Sequence, residues 1–247
     1  PGGAQQMIKE GVLENPKVEK MLGQHVFPDL EVGKVGFRPG KYMASTDELH
    51  ITIKGKGGHA ALPEKYNSPL LAAAKLITAL DEYSKKEKDR PCVLAIGFIE
   101  GLGSTNVIPE QVKLKGTLRA MDEDFRMKTH EKMLAIANTI AEMYSLTIDF
   151  DIRKGYPCLV NHEALTKKSI SFAKEYMGTE NVIDLPIRMT AEDFSYYSHE
   201  VPSCFYRLGT ANKSKGITHG LHTSRFNIDE SSLKVGMGLM AYLAIKN

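Results

Sequence analysis

Glu48-Leu49-His50-Ile51-Thr52-Ile53 alternates polar and apolar side chains, and Gly55-Lys56-Gly57-Gly58-His59-Ala60-Ala61 follows it almost at once. The period of two predicts a strand with one buried face. Three glycines in four positions predict a backbone that turns with positive φ and comes close to a neighbour, with the His59 imidazole at the tip. The segment lacks the Lys-Ser/Thr pair of a P-loop, so phosphate binding is not its reading. On the glycines alone, His59 is equally well a polar loop residue or a functional one.

Working outward, a helix follows, with Leu70, Ala73, Ala74, Ile77 and Leu80 on one apolar face. Cys92 to Ile99 reads as a second strand. A third puts Val112, Leu114, Gly116 and Leu118 on one face and Lys113, Lys115, Thr117 and Arg119 on the other. A second helix from about Glu123 to Tyr144 turns Met133, Ile136, Ile140 and Met143 inward, and Thr147 to Ile152 forms a fourth strand. This βαββαβ order predicts a ferredoxin-like two-layer domain over 45–155, with helices on one face of the sheet and the other face open.

The flanks read differently. Residues 1–44 begin with a short helix from Ala4 to Lys9. A strand from Met21 to Val26 follows, then a turn at Phe27-Pro28-Asp29 and another strand from Gly33 to Phe37. After Gly155-Tyr156-Pro157 come a helix from His162 to Met177, a short helix at Glu192 to Tyr197, a strand at Ser203 to Leu208 and a final helix from about Glu230 to Ile245. Residues 1–44 and 156–247 are therefore expected to form one discontinuous α/β domain interrupted by 45–155.

The chain has 247 residues, 25% charged and 42% hydrophobic, which is ordinary globular usage and enough for one large or two small cores. A net charge of +2, with Lys and Arg dispersed, gives no case for nucleic acid. The central strands also lack the interleaved aromatics of an RNA-binding sheet. Cys92, Cys158 and Cys204 are odd in number and far apart in apolar surroundings, and read as buried thiols in a reducing cytoplasm. No apolar run approaches the ~20 residues that span a bilayer, so no membrane partner is expected.

Several side chains could carry chemistry, each with a plainer reading beside it. His25 stands at a strand end, where α/β sheets present ligands, but a core or turn histidine fits as well. His219 and His222 flank Gly220-Leu221 in a loop, a moderate metal signal. Asn106 is an ordinary turn residue and Arg119 an ordinary solvated charge. Presented together from one sheet, an amide and a guanidinium can grip a carboxylate. Glu192-Asp193 is a tempting acid–base pair, yet Thr190-Ala191-Glu192-Asp193 also reads as a capping box. His50, His130, His162 and His199 read as structural or exposed.

Taken together these segments resemble the metal-dependent aminoacylase and amidohydrolase family of metallopeptidases, which includes hippurate hydrolase, indoleacetyl-amino-acid hydrolase and N-acetyldiaminopimelate deacetylase. Gly23-Gln24-His25-Val26-Phe27-Pro28 matches the family's metal-binding Gly-Leu-His-Val-(aromatic)-Pro except at Gln24, and Leu221-His222-Thr223-Ser224-Arg225-Phe226 matches the segment that ends its metal site. The resemblance implies metal ligation by His25 and His222, which are expected to come together across almost two hundred residues. It implies that His59 polarises the scissile carbonyl and stabilises the oxyanion, often in the partner subunit's site. Asn106-Val107-Ile108-Pro109 and Gly116-Thr117-Leu118-Arg119 match segments associated with the substrate carboxylate.

What the resemblance implies for function is hydrolysis of N-acyl amino acids or related small amides, with two divalent ions (zinc or manganese) activating water. It also implies a cytoplasmic homodimer paired through 45–155. The family takes its other ligands and a Glu-Glu pair from a part lying ahead of a Gly-Pro-Gly-Gly-Ala segment. This sequence opens with Pro1-Gly2-Gly3-Ala4, so it reads as a chain without its N-terminal portion, inactive by itself. A non-catalytic dimerisation or binding module is the alternative, against which the joint presence of His25, His59 and His222 argues. Nothing in the residues selects the acyl group or the amino acid.

Overall fold

The computed structural model describes residues 2–86 and 90–247; Pro1, the first residue of the opening segment quoted above, lies outside them. In chain order the elements are α1 (Gly3–Lys9), β1 (Met21–Glu31), β2 (Val35–Phe37) and β3 (Gly40–Met43). Next come β4 (Asp47–Lys54), β5 (Gly58–His59), α2 (Pro69–Lys86), β6 (Cys92–Glu100), β7 (Val107–Ile108), β8 (Gln111–Ala120), α3 (Glu123–Tyr144) and β9 (Thr147–Lys154). The chain closes with β10 (Leu159–Asn161), α4 (Glu163–Met177), β11 (Val182–Asp184), α5 (Ser195–Glu200), β12 (Ser203–Ala211) and α6 (Ser231–Lys246). They form two compact units: Pro1–Met43 with Leu159–Arg188 and Glu192–Asn247, and Ala44–Cys158 with Met189–Ala191.

The second, inserted unit holds a four-stranded antiparallel sheet in the order β6-β8-β4-β9. With α2 and α3 as crossovers this is the ferredoxin-like arrangement. Leu49, Ile51 and Ile53 of β4 and Val112, Leu114 and Leu118 of β8 are buried against Ala72, Ala73, Leu76 and Leu80 of α2 and Met133, Ala137 and Ile140 of α3. The buried face of α2 is thus turned from the predicted one. Leu70 is 37% exposed and Ala74 faces solvent, because the run Leu70 to Ile77 is apolar in more than one helical frame and packing chose among them. Met143, expected inward, is 61% exposed near the end of α3. That helix starts at Asp122, whose carboxylate accepts from Phe125 N at 2.9 Å, and ends at Ser145 in the left-handed region.

One polar cluster lies within this core. Asp47 is fully buried; its carboxylate accepts from Arg126 Nε at 3.0 Å and Nη2 at 2.5 Å and is 2.6 Å from His130 Nε2. Arg126 also donates to the carbonyls of Thr46 and Gly155, both at 3.2 Å, and to Glu123 at 2.9 Å. Glu123 in turn accepts from Cys158 N at 2.8 Å. The two ends of the insert are therefore fastened to the first turns of α3 through a single ion cluster. His130, taken from sequence as structural or exposed, is one of its members.

The discontinuous unit holds a mixed sheet, β1-β12-β2-β11, with β1 parallel to β12 and β2 parallel to β11. β12 is buried along its whole length. Leu165 and Ala173 of α4 and Leu239 and Leu243 of α6 share a core with Cys204, Tyr206 and Leu208 of β12, while α1 and α5 contribute to a second one. The turn predicted at Phe27-Pro28-Asp29 is absent: β1 runs on to Glu31, with a register shift between Phe27 and Glu31. β1 lies at the end of the strand order, and an edge strand tolerates a proline that donates no ladder bond. The helix expected at Glu192 starts at Ser195 instead, without a side-chain cap. Among the three cysteines there is no disulfide; Cys158 and Cys204 are buried, whereas Cys92, expected buried, is partly exposed.

Asp47 generates a prediction. Burial raises its pKa, but the hydrogen bonds from His130 and Arg126 outweigh that and hold it at about 2, below the ordinary 3.8. A depressed carboxylate stabilises the fold above its unfolded value and loses that contribution as pH falls, here between 3.8 and about 2, on the order of 2 kcal/mol in all. Asp47→Asn, which strands Arg126, should destabilise the insert by about 3–5 kcal/mol and remove this acid-dependent component. Urea unfolding repeated at several acidic pH values measures both; a variant as stable as the parent would refute the assignment.

Candidate functional site

His25 sits on β1 opposite Arg207 of β12. Its Nδ1 lies 2.7 Å from the Val26 carbonyl, which can only accept, so Nδ1 carries the proton and Nε2 presents a lone pair. Burial lowers the His25 pKa; the Val26 bond opposes this, while Arg207, His222 and Arg188 add to it. The ring is therefore neutral at pH 7, the state a metal requires. His222 belongs to the same unit, and its charge is among the smaller influences on His25. His222 itself has φ 60, a left-handed conformation that a non-glycine residue adopts at a cost. His219 is exposed in the same loop.

Two imidazoles, one with its tautomer already set, fit part of a divalent-metal ligand set. Among the described residues no group of three or more His, Cys, Asp or Glu is placed to hold an ion, so the chain supplies two imidazoles and not a complete cage.

Arg207 was not singled out from sequence. It is 3% exposed, donates to Tyr42 Oη at 3.1 Å and Met43 Sδ at 3.2 Å, and lies over the rings of Phe27, Tyr42 and Phe205 at 5.7, 5.9 and 5.0 Å. The signal was an arginine inside the apolar run Cys204 to Leu208. Its charge also reaches Glu192, whose acid is raised by burial and by Asp193 against the pull of the Phe194 amide and Arg207. Asp193 accepts from Ala4 N at 3.1 Å, so it serves the first turn of α1 and not a helix of its own, and the capping-box reading of Thr190 to Asp193 does not hold.

In the inserted unit His59 lies on β5, paired with Val107 of β7, and is exposed. The glycines before it have no positive φ, contrary to expectation. The close approach expected of them is there: a Cβ on Gly55 would meet Asn67 O at 2.6 Å, and one on Gly57 would meet Ile108 O at 2.7 Å. Ala61 N donates to His59 Nδ1 at 3.1 Å, so in the neutral ring Nε2 carries the proton. His59 is thus the opposite tautomer to His25, a donor where His25 is an acceptor.

Ala60 N donates to Asn106 O at 2.9 Å, which joins the His59 and Asn106 turns. Asn106 Oδ1 accepts from Ser104 Oγ at 3.1 Å, leaving its NH2 group as the outward donor. Arg119 stands half-buried near the end of β8. Burial lowers its pKa and Asp47 opposes that. A groove on the open sheet face, about 240 Å³, is lined by His50, Thr52, Lys113, Lys115, Asp149 and Arg153 among others, and includes neither Asn106 nor Arg119.

A family model described as peptidase family M20/M25/M40 matches residues 1–246, and the chain belongs to that family. An N-acetyldiaminopimelate deacetylase of Geobacillus is 32% identical over 249 residues, which cover 100% of this chain and 65% of the relative. The solved structure of an aminohydrolase from methicillin-resistant Staphylococcus aureus superposes with a TM-score of 0.90 at 29% identity, over 100% of this chain and 64% of the other. The YXEP protein of Bacillus subtilis, described as a dinuclear metal binding peptidase from the M20 family, gives a TM-score of 0.80 at 28% identity over 98% of this chain and 60% of the other. The chain spans about 62% of the length of the first curated relatives it matches. No helix among the described residues is long and apolar enough to cross a membrane.

The close approach at Gly57 is testable. Gly57→Ala forces the Ile108 carbonyl away and should cost about 1–3 kcal/mol while shifting the His59 ring resonances. Unchanged thermal unfolding and unchanged histidine spectra would show that the turn has room to spare.

Proposed function

We propose that this chain is the larger part of a metal-dependent amidohydrolase acting on N-acyl amino acids or related small amides. The observation that carries the reading is the His25 imidazole, half-buried, neutral and held by Val26 O so that its Nε2 lone pair stays free, with the charge of His222 acting on it. In this reading the discontinuous unit is the metal-binding catalytic domain, and the insert a lid and dimerisation domain. Two divalent ions, zinc or manganese, would be held in part by His25 and His222; when bound they supply Lewis acidity and an activated water.

The remaining roles fall to side chains of known state. His59 Nε2–H is a neutral donor suited to an oxygen that gains negative charge as the amide carbon is attacked. Asn106, with its oxygen engaged by Ser104, offers an NH2 group to the substrate carboxylate, and Arg119 offers a planar fork. The Geobacillus relative is named for removing an acetyl group from an N-acyl amino acid, which agrees with this substrate class.

A homodimer through the insert completes the proposal. β6 is last in the sheet order, and Phe98 and Ile99 on it are 41% and 55% exposed, with Leu71 at 60% and Leu102 at 84% in the same unit. An unpaired edge with apolar neighbours is a surface that soluble proteins cover. A cytoplasmic setting is part of the same reading and accords with cysteines that form no disulfide.

Two outcomes check these claims. In the whole protein assayed with added zinc or manganese, Arg119→Lys should lose about tenfold or more in affinity for N-acyl amino acids and little for the matching N-acyl amines. Equal losses would remove the carboxylate role, and no turnover on any amide would favour the binding-module alternative. Light scattering of the 247-residue chain should give twice its mass, and Ile99→Lys should shift it toward the monomer; a parent already monomeric would end the dimer claim.

A further inference from the structure

The loop between β12 and α6 carries His219 and His222, and its neck is closed by one buried carboxylate. Asp229 is 1% exposed. Its Oδ2 accepts from Asn212 Nδ2 at 2.5 Å and pairs with Lys215 Nζ at 2.9 Å; its Oδ1 accepts from Ser231 N at 3.0 Å and Ser231 Oγ at 2.5 Å. Its own backbone N donates to Thr210 O at 3.0 Å. Asn212 and Ile217 exchange two backbone bonds of 2.9 Å just inside the neck. One side chain thus fastens the end of β12, the turn at Lys213–Lys215 and the first turn of α6.

The loop beyond this neck has little other support. Thr223, Ser224 and Arg225 are exposed, and the bonds within that stretch are Thr223 Oγ1 to Gly220 O at 2.9 Å and Phe226 N to Thr223 O at 3.1 Å. Yet His222 holds a left-handed backbone, which a β-carbon disfavours and which persists only where the surroundings over-determine it. A cap for α6 needs only the Ser231 contacts. The Asn212 and Lys215 contacts reach back across the loop and do nothing for the helix.

We propose that Asp229 is a positioning residue for His222, closing the loop so that this imidazole stands beside His25. The assignment rests on the reading of His25 and His222 as a shared metal site and names what holds the second ligand in place. Lys215 acts from the solvent side of the same carboxylate.

Zinc alone is the probe, titrated into the 247-residue chain while the histidine ring resonances are followed by NMR and thermal unfolding is recorded with and without the ion. In the parent, His25 and His222 should respond together at one midpoint. Asp229→Asn should raise the zinc dissociation constant about tenfold or more and leave His25 responding without His222. Lys215→Met, an exposed change that spares the fold, should raise it about two- to threefold and decides the question if Asp229→Asn does not fold. A variant that unfolds earlier without zinc, yet keeps the parent's dissociation constant and paired response, would reduce Asp229 to a helix cap and overturn the proposal. A parent in which His25 and His222 do not respond together, with His25→Gln binding zinc as well as the parent, would overturn the metal-site reading itself and this assignment with it.

Discussion

A carboxylate with no access to water decides how the insert is held together. Burying Asp47 alone would be prohibitive, and it is tolerated because Arg126 meets it through two nitrogens and His130 through a third. Arg126 then has donors left over, and these go to the Thr46 and Gly155 carbonyls at the two ends of the insert. The cluster links sequence positions 79 and 83 residues from Asp47 and closes the unit at its base. A chain can interrupt one domain with another only if the interruption begins and ends at nearly the same place. Here a satisfied ion cluster enforces that.

The same logic of satisfaction governs the histidines. Each is defined less by its own chemistry than by which backbone group its Nδ1 meets. A carbonyl at His25 makes Nδ1 the donor and leaves Nε2 a lone pair; an N–H at His59 makes Nδ1 the acceptor and leaves Nε2 a donor. At His162 the ring nitrogen Nδ1 likewise accepts a backbone N–H, that of Leu165, and there the bond caps α4. Hydrogen bonds of about 3 Å thus set two tautomers and one helix cap in three identical side chains.

Arg207 shows a different solution to a buried charge. With a hydroxyl, a sulfur and three aromatic rings around it, the guanidinium is desolvated but stabilised by ring quadrupoles, in a strand buried from end to end. It adds positive potential at His25 and Glu192, reinforcing the lowering that burial imposes on the imidazole and opposing the rise that burial imposes on the carboxyl.

Much of the architecture was legible in the residues themselves. The period-two runs at Glu48–Ile53 and Val112–Arg119 and the long apolar helices specify strand, helix and order, because burial of one face rewards that periodicity whatever the partner. Family membership was legible in short segments around His25, His59 and His222. What tertiary structure alone decided is where polar atoms find partners. Nothing local distinguishes Asp47 from a solvated charge, and the apolar run around Arg207 marks it as buried without naming its partners, which lie up to 165 residues away. The glycines before His59 come close to the carbonyls of Asn67 and Ile108, as their spacing predicts, but without the positive φ expected of them, and Pro28, read as a turn, sits in an edge strand. Which face of α2 is buried was also undetermined by its apolar run. Periodicity reports a property of neighbours along the chain, whereas a tautomer, a buried charge or a close backbone approach depends on atoms that only folding brings within 3 Å.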